Sequence, residues 1–428
     1  MTATTLTIPT LGKTSHPSPF AGQYTDDAPI RLNLAQEYRP DIPEGDIFFE
    51  PAGPRERLFF RPESVTAAIV TCGGLCPGLN DVIRSLTMQL HHTYHAKAVY
   101  GIRYGLEGFI PRYGHKPVLL TPGTVSDIYN FGGTVLGTSR GPQDPTEIVA
   151  ALNRLGADML FVIGGDGSMK AAAAISGEIR RQGRSISVVG VPKTIDNDIN
   201  MIPRSFGFET AVNAATEALA CAHTEAMSVP NGIGLVKLMG RESGFIAAQA
   251  SLSLSIVNFC LIPETRFSLE GEGGLLPALE ERLKRRRHAL LAVAEGAGQH
   301  LMQQNTGTDA SGNRILSDIG QFLQEAVKKY FRERGIPITL KYIDPSYMVR
   351  SVPADADDRV YCSFLGQNAV HAAMAGKTDM VVAKINDHFV HLPLDIVIKR
   401  RRTLDIRSPY WRAVLASTGQ EKLKGMLE

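Results

Sequence analysis

The sequence has few cysteines and little excess of charge of either sign. It holds 5 cysteines in 428 residues, and its formal net charge is +2. An odd and scattered set of cysteines excludes a disulfide framework and indicates a reducing compartment. A balanced charge excludes the usual signal for nucleic acid or a membrane surface as a partner, and the basic runs at 284–288 and 399–403 are predicted to be solvated faces or a patch for an effector anion. We therefore expect a cytoplasmic protein.

Long apolar runs are also absent. No stretch reaches the roughly 20 apolar residues that a membrane-spanning helix needs, and the first residues contain no apolar secretory core. Cys72 and Cys76 lie close together, but no second pair of ligands stands near them, so a zinc site is not expected. The composition that remains, 43% hydrophobic and 21% charged, is that of a globular protein.

Two well-known phosphate-binding motifs are missing. The Gly-Lys-Thr at residues 376–378 has His371 where the P-loop pattern requires glycine. No Gly-x-Gly-x-x-Gly opens a helix after a strand, which excludes the dinucleotide fingerprint. Any phosphate site must therefore use other loops.

What the sequence does contain is a strict alternation of apolar strands and helices, from Ser64 to Ile385. Strands this apolar are buried on both faces, as in parallel sheets covered by helices. We predict an α/β protein with two doubly wound, mostly parallel sheet lobes and the active site in the cleft between them. Ligands of such sheets bind beyond the carboxyl ends of the strands, so the loops at those ends are the place to look for function.

The first of these loops is GGDGS, at residues 164–168. Gly165 and Gly167 let the backbone approach a phosphate closely, and Ser168 lies where a helix begins and its N–H groups face an anion. Asp166 is an oxygen ligand suited to a magnesium ion that bridges phosphates. A tight strand–helix turn with a capping aspartate is the simpler alternative.

The second loop, PKTIDND, ends at Asp198. Asp196 and Asp198 are two residues apart and point the same way in an extended segment. One carboxylate could accept a proton from an attacking hydroxyl, while the other, with Asp166, anchors magnesium; Lys193 and Thr194 stand beside them. An Asx-rich turn is the alternative.

Three arginines lie in glycine-rich contexts at strand ends: Arg140, Arg241 and Arg350. Arginine makes planar, bidentate contacts with phosphate, so these residues suit a reaction complex with two phosphorylated molecules. Glu295 is a carboxylate at another strand end and suits a sugar hydroxyl. Each of these residues taken singly is more often a cap or a surface residue.

Eight short motifs occur in the order and spacing of the phosphofructokinases, and the sequence resembles that family over roughly residues 65–399. They read GG-x-x-PG-x-N, GGDGS, PKTIDNDI, GFETA, MGRESGF, PE-T, AEG and YMVR. The segments outside this core look like the extensions of the long form of the family.

The resemblance implies ATP-dependent, Mg²⁺-assisted phosphorylation of fructose 6-phosphate at its 1-hydroxyl, a step of glycolysis. Asp196 matches the family's proton acceptor, helped by Lys193, Thr194 and Arg241, and Asp166 with Asp198 would hold the metal. The residues that match nucleotide contacts are Gly74, Arg140, Gly165, Asp166, Gly167 and Ser168; those that match sugar-phosphate contacts are Thr194, Ile195, Asp196, Met239, Gly240, Arg241, Glu295, Lys341, Tyr347 and Arg350.

The resemblance also implies domains and an assembly. The expected domains are an N-terminal extension (1–63), an ATP-binding lobe (64–206), a sugar-phosphate-binding lobe (207–348), and a return to the first lobe with a C-terminal extension (349–428). Similar enzymes are allosteric dimers or tetramers with shared sites, and Lys341 stands where the family often has an arginine that reaches into a neighbouring subunit. Gly232 replaces another subunit-crossing arginine of the short bacterial form.

The two positions that distinguish ATP users from pyrophosphate users in this family favour different phosphoryl donors in this chain. Pyrophosphate users of the family usually carry aspartate at position 167 and lysine at 193, whereas ATP users carry glycine at 167; this chain has Gly167 with Lys193. An aspartate at 167 would fill and repel the place of the α-phosphate, so Gly167 favours ATP, and Lys193 can serve as a point charge. A pyrophosphate-dependent enzyme is the first alternative, and a non-catalytic regulatory subunit is the second.

Overall fold

The structure is a computed structural model that describes residues 4–31, 47–303, 307–308, 314–421 and 423–426. Within this part of the chain the predicted alternation of strands and helices is confirmed. The described residues fall into two units. Unit 1 lies within Met1–Thr194, Ile199–Gly207 and Val352–Arg401, and unit 2 lies within Ile195–Asp198, Phe208–Ser351 and Arg402–Glu428.

Sixteen strands occur among the described residues. They are β1 Thr4–Thr5, β2 His16–Pro17, β3 Ile30–Arg31, β4 Ile47–Pro51, β5 Arg57–Leu58, β6 Thr66–Thr71, β7 Ala98–Ile102, β8 Val118–Leu119, β9 Met159–Gly164, β10 Ser187–Pro192, β11 Gly232–Leu238, β12 Phe259–Leu261, β13 His288–Ala294, β14 Thr339–Ile343, β15 Met380–Ile385 and β16 His388–Pro393.

Helices connect and cover these strands. They are α1 Leu79–His92, α2 Pro145–Leu155, α3 Asp166–Arg181, α4 Phe208–Met227, α5 Phe245–Leu254, α6 Leu275–Arg286, α7 Ile319–Glu333, α8 Ser346–Ser351, α9 Ala356–Met374, α10 Leu394–Val397 and α11 Pro409–Thr418, with short 3₁₀ turns at Pro62–Ser64, Gly105–Phe109, Pro111–Tyr113, Ile128–Asn130 and Gln299–Leu301.

The large sheet of unit 1 has the strand order β1-β4-β16-β15-β10-β9-β6-β7-β8, with β3 also paired to β4. All residues of β6, β9 and β10 are buried, which matches their apolar sequences and requires cover on both faces. These strands pair in parallel, with Leu160 beside Ala68 on one side and Val188 on the other. Their carboxyl ends therefore lie at one edge, where the loops that follow them begin.

The margins of this sheet are antiparallel. Strand β16 runs against β15 and β4, and β8 runs against β7. Residues 1–63 are expected to form a poorly periodic extension; residues 1–3 and 32–46 lie outside the described part of it, and β1, β3 and β4 from the rest join the sheet. Their pairing partners lie hundreds of residues away or are short strands of the same segment, so local periodicity carries little signal of them.

Unit 2 contains a smaller sheet with the order β12-β13-β11-β14, in which every pairing is parallel. Six of the seven residues of β11 are buried, and β13 is buried after its first residue. The expected domains place residues 195–198 in the ATP-binding lobe and residues 402–428 in the return to that lobe and the C-terminal extension. In the structure they belong to unit 2, where the backbone N–H of Arg402 donates to the carbonyl oxygen of Asp198 at 2.7 Å.

Helix ends follow local chemistry. In α2 the carboxylate of Asp144 accepts a hydrogen bond from the N–H of Thr146 at 2.8 Å, and Pro145 occupies the first turn, where no N–H is needed. The helix ends at Gly156, which adopts the left-handed conformation with φ 62°.

All five cysteines are free thiols, and no helix in the described part of the chain is both long and apolar enough to cross a bilayer.

Candidate functional site

The loop after β6 packs against Lys193. The side chain of Lys193 is 5% exposed, and its ammonium group donates a hydrogen bond to the carbonyl oxygen of Gly74. Gly73 has φ +82°, and a Cβ atom there would lie 3.7 Å from Nζ of Lys193 and 3.9 Å from Oγ of Ser168. The loops after β6, β9 and β10 thus meet at one place within unit 1.

The GGDGS loop joins β9 directly to α3. Gly165 is the N-cap residue of α3 and has no side chain that could accept hydrogen bonds from the first N–H groups of the helix. A Cβ atom at Gly167 would meet nothing within 4 Å, whereas one at Gly165 would lie 3.3 Å from the carbonyl oxygen of Lys193. This uncapped helix start, with open space over Gly167, fits an anion such as a phosphate.

Asp166 is the first residue of α3, and its carboxylate is held by cations. Oδ2 lies 2.8 Å from Nζ of Lys170 and 3.8 Å from Nε of Arg401, and the aspartate side chain is 15% exposed. Both of these contacts are made to Oδ2. Mg²⁺ is commonly held by one or two carboxylates together with phosphates and water, so the chemistry of Asp166 fits this ion.

Arg140 is placed by the segment before it. The N–H of Gly73 donates to the carbonyl oxygen of Ser139 at 3.1 Å, and the hydroxyl of Thr138 donates to the carbonyl oxygen of Gly73 at 2.7 Å. The exposed Arg140 follows directly. Two hydrogen bonds therefore tie the two residues before Arg140 to the loop that holds Gly74.

The loop that carries both predicted catalytic carboxylates is held by specific contacts. Asn197, between Asp196 and Asp198, is buried and adopts the left-handed conformation with φ 54°. The hydroxyl of Ser243 donates to the carbonyl oxygen of Asp196 at 2.9 Å. The guanidinium of Arg402 donates to the carbonyl oxygen of Asn197. The carbonyl oxygen of Thr194, the last residue of the first segment of unit 1, accepts a hydrogen bond from the hydroxyl of Ser205 at 2.5 Å.

Arg241 and Glu295 lie in the loops that follow β11 and β13, two neighbouring strands of unit 2. The N–H of Glu295 donates to the carbonyl oxygen of Leu238 at 2.8 Å, and Gly296 donates to Gly240 at 3.0 Å. Gly240 has φ +125°, and a Cβ atom there would lie 2.5 Å from the carbonyl oxygen of Ser243, so the turn after Met239 requires glycine. Arg241 donates from its guanidinium to the carbonyl oxygen of Arg314 at 2.5 Å.

Burial raises the pKa of Glu295 above its usual value, while the positive charges of Arg241, Lys237 and Arg350 oppose that rise. Asp344 adds to it. Several charged groups therefore lie near this carboxyl, as expected for a binding site.

Three further predicted contacts lie within β14 and on α8. The guanidinium carbon of Arg350 lies 4.8 Å from the centre of the Tyr347 ring, and Tyr347 is 75% exposed. Lys341 is also exposed and forms an ion pair with Glu225 at 3.6 Å. Tyr347 and Arg350 thus occur side by side, whereas Lys341 points to another partner.

The predicted residues divide between the two units. Gly74, Arg140, Gly165, Asp166, Gly167, Ser168, Lys193 and Thr194 belong to unit 1; Ile195, Asp196, Asp198, Met239, Gly240, Arg241, Glu295, Lys341, Tyr347 and Arg350 belong to unit 2. The part of the chain that the structure describes holds no cluster of three or more His, Cys, Asp or Glu residues suited to a metal. A Mg²⁺ site would then rest on fewer carboxylates, with phosphate and water as further ligands.

Two arginines of the basic run at 399–403 were missed as site residues. The sequence predicts a solvated face or an effector patch, but Arg401 is 30% exposed and approaches Asp166, and Arg402 holds the loop of Asp196. Charge runs usually lie in solvent, and no spacing within the run indicates otherwise. The path of the chain after α10 is what brings Arg401 to Asp166 and Arg402 to the carbonyl oxygen of Asn197.

Comparisons with known proteins agree with the motifs. The family model described as phosphofructokinase matches residues 66–373. The ATP-dependent 6-phosphofructokinase of Borreliella burgdorferi is 49% identical over 382 residues, which cover 88% of this chain and 86% of that protein. The ATP-dependent 6-phosphofructokinase of Amycolatopsis methanolica is 48% identical over 379 residues, 87% of this chain and 82% of that one.

Solved structures show the same fold. The pyrophosphate-dependent phosphofructokinase of Marinobacter aquaeolei superposes with a TM-score of 0.69 and 20% identity, over 84% of this chain and 92% of that chain. At this identity the likeness concerns the fold alone and carries no information about the phosphoryl donor.

Proposed function

Since this chain belongs to the phosphofructokinase family, we propose that it phosphorylates fructose 6-phosphate at the 1-hydroxyl with ATP and yields fructose 1,6-bisphosphate in glycolysis. The observation that carries this proposal is the close likeness, along most of the chain, to relatives named ATP-dependent 6-phosphofructokinases. Those relatives are much more similar to this chain than the pyrophosphate-dependent neighbours are.

The donor side of the reaction is assigned to unit 1. The uncapped start of α3 offers N–H groups to phosphate oxygens, and the open space at Gly167 leaves room for the α-phosphate of a nucleotide. The buried ammonium group of Lys193 supplies a point charge for the phosphoryl group in transfer. Gly74 and Arg140 complete the proposed nucleotide contacts.

The acceptor side is assigned to unit 2 and the adjoining Thr194. Asp196 orients the sugar 1-hydroxyl or accepts its proton, and the rigid backbone around Asn197 fixes the carboxylate for that role. Arg241 stabilises negative charge on the transferred group. Glu295 accepts a hydrogen bond from a sugar hydroxyl, and Arg350 beside Tyr347 binds the 6-phosphate.

Magnesium is proposed as the metal of this reaction, with Asp166 and Asp198 as its protein ligands. When bound, it would neutralise charge on the β- and γ-phosphates. The chain's own contribution is to hold Asp166 at the helix start, where Lys170 and Arg401 fix one of its two oxygens.

The pyrophosphate-dependent reaction is a second candidate because Lys193 is the residue that pyrophosphate users of the family carry. Steady-state assays with fructose 6-phosphate and Mg²⁺, using ATP and pyrophosphate in turn, separate the two reactions. We expect turnover with ATP and little with pyrophosphate. The reverse result would replace the proposed donor, and binding without turnover for either donor would indicate a regulatory subunit.

Assembly and location are also proposals. A homo-oligomer is proposed because Lys341, which is exposed and pairs with Glu225 at the surface, stands where the family often has an arginine that reaches into a neighbouring subunit. A cytoplasmic location agrees with the five free thiols. Mass measurement in solution at several protein concentrations tests the assembly.

A further inference from the structure

Lys237 connects two carboxylates near the proposed sugar-phosphate residues. It is the sixth residue of β11 and precedes the Met239–Arg241 turn. Its ammonium group lies 2.8 Å from Oδ2 of Asp344 and 3.1 Å from Oδ2 of Asp318, and the side chain is 13% exposed. None of the motifs singled out in the sequence includes this lysine.

The contact with Asp344 leads to α8. The other oxygen of Asp344 accepts hydrogen bonds from the N–H of Ser346 at 3.2 Å and from the Ser346 hydroxyl. Ser346 is the first residue of α8, the helix that carries Tyr347 and Arg350. Lys237 therefore fixes, through one carboxylate, the start of the helix proposed to hold the 6-phosphate.

The contact with Asp318 leads to α7, which carries none of the proposed site residues. Oδ1 of Asp318 caps that helix by accepting from the N–H groups of Gly320 and Gln321 at 2.9 and 3.2 Å. The two contacts of Lys237 thus differ. Asp344 connects it to α8, which carries proposed substrate contacts, whereas Asp318 connects it to α7, which carries none.

A third connection runs through the backbone of β11. The residue after Lys237, Leu238, accepts a hydrogen bond from the N–H of Glu295. The lysine also contributes to the electrostatics of Glu295, because its charge opposes the rise in the pKa of that carboxyl that burial causes. The partly buried ammonium group of Lys237 therefore acts on residues at the ends of β11, β13 and β14.

The surroundings of Lys237 keep its ammonium group charged. Burial lowers the pKa of Lys237, but hydrogen bonds to Asp344 and Asp318 outweigh it and raise the pKa above its usual value, so the group stays charged. Tyr342 is also close, and burial raises its pKa, so it stays neutral. Without the lysine, Glu295 would lose one of the three positive charges that oppose the rise in its pKa and would keep Asp344, which adds to that rise.

From this geometry we infer that Lys237 is a positioning residue for sugar-phosphate binding: it holds α8, with Tyr347 and Arg350, in register with Glu295 and the Met239–Arg241 turn. The inference rests on the proposed function. Lys237 itself need not contact substrate, because it acts through Asp344 and through the backbone of β11.

The test uses Lys237→Met in the full-length protein, with Lys329→Met as the matched control. Lys329 lies on α7, is exposed, and forms a long ion pair with Glu333 at 4.0 Å. We expect Lys237→Met to raise KM for fructose 6-phosphate by about 10-fold or more, because it leaves partly buried carboxylates without their cation. KM for ATP should change less than 2-fold, roughly the effect expected of a distant surface change.

Two further readouts separate positioning from loss of structure. In Lys237→Met the acidic limb of the kcat/KM profile for fructose 6-phosphate should move to higher pH, because the pKa of Glu295 loses one opposing cation and keeps Asp344. Lys237→Arg keeps the charge and should restore most of the affinity. Asp344→Asn should also raise KM for fructose 6-phosphate. Asp318→Asn should lower the melting temperature and leave that KM unchanged.

The wild-type assay decides the proposed function independently, since that function fails if the wild-type enzyme has no turnover with fructose 6-phosphate. With wild-type turnover present, an unchanged KM in Lys237→Met overturns the positioning role. So does an equal rise in KM for both substrates, or an equal effect of Asp318→Asn and Asp344→Asn. If Lys237→Met does not fold, the two aspartate variants decide the question.

Discussion

The guanidinium of Arg402 donates a hydrogen bond to the carbonyl oxygen of Asn197 across 3.1 Å. The same guanidinium lies 4.3 Å from the centre of the Phe245 ring, and the backbone N–H of Arg402 binds the carbonyl oxygen of Asp198. Asn197 follows the proposed catalytic aspartate directly. One arginine from a basic run near the end of the chain thus holds the loop on which the chemistry is proposed to depend.

Replacing Arg402 with methionine should lower kcat by about 10- to 100-fold, because a small displacement of Asp196 costs rate more than binding. KM for both substrates should change little. The exposed Arg407 provides the matched control, and Arg407→Met should behave as wild type. Steady-state kinetics of both variants measure the difference, and a wild-type kcat in Arg402→Met would contradict the assignment.

Replacing Asp196 with asparagine removes the proposed proton acceptor and keeps the shape of the side chain. We expect kcat to fall by about 100- to 10,000-fold, the usual contribution of a general base. Binding of fructose 6-phosphate, measured by calorimetry, should change far less. Asp357→Asn, at the exposed start of α9, is the control. Near-normal turnover of Asp196→Asn would remove this residue from the mechanism.

Gly167→Asp should separate donor choice from stability. A Cβ atom at this position has open space, and an acidic residue in the first turn of α3 interacts favourably with the helix dipole, so the melting temperature should not fall. The efficiency with ATP should fall by about 100-fold or more, because a carboxylate would repel the α-phosphate.

Two variants calibrate this effect. Gly167→Ala adds only a methyl group and should lose far less efficiency with ATP than the aspartate does. Gly177→Asp places the same charge in open space further along α3 and should leave ATP use unchanged. If Gly167→Asp and Gly177→Asp have the same kinetics with ATP, Gly167 does not select the donor.

Acid should destabilise unit 1 through His371. Burial, with the nearby charges of Arg55 and His391, lowers the pKa of His371 from 6.5 to about 4, and its Nδ1 lies 2.7 Å from the hydroxyl of Tyr94. Between these pH values the unfolded chain binds a proton that the folded chain excludes, so the free energy of unfolding falls as the pH falls. The loss from this one group is roughly 3 kcal/mol by pH 4.

Denaturant unfolding at intervals from pH 7 to pH 4 measures this loss. His371→Gln removes the titration and keeps an acceptor for Tyr94, so its unfolding free energy should depend less steeply on pH. His92→Gln, on the surface of α1, is the control and should keep the wild-type slope. Equal slopes in all three proteins would show that His371 does not govern the acid response.

The repeating strands and helices could be predicted because their signal is local. The apolar run before GGDGS becomes β9, and the amphipathic pattern from Asp318 becomes α7. Both depend on residues that are close in sequence, and the parallel pairing follows from burial on both faces. The strands of the first 63 residues were missed because β4 pairs with β16, which lies far along the chain and runs antiparallel to it.

The candidate site could be located from its glycine-rich loops but not from its supports. GGDGS and TIDND are recognisable by their composition at strand ends. Lys237, Arg401 and Arg402 carry no such signal, since a lysine in an apolar strand and arginines in a basic run have ordinary explanations. Their roles depend on which carboxylates and carbonyl groups the folded chain brings to them.

The strand order of unit 1 also links its folding to synthesis on the ribosome. In the finished sheet β10 lies between β9 and β15, but β15 is made only after all four strands of the smaller sheet. A nascent chain that has emerged as far as β14 can complete the smaller sheet while β10 still has a bare, apolar edge. An unpaired, apolar strand edge of this kind favours contact with other chains, and it stays open until β15 pairs with β10.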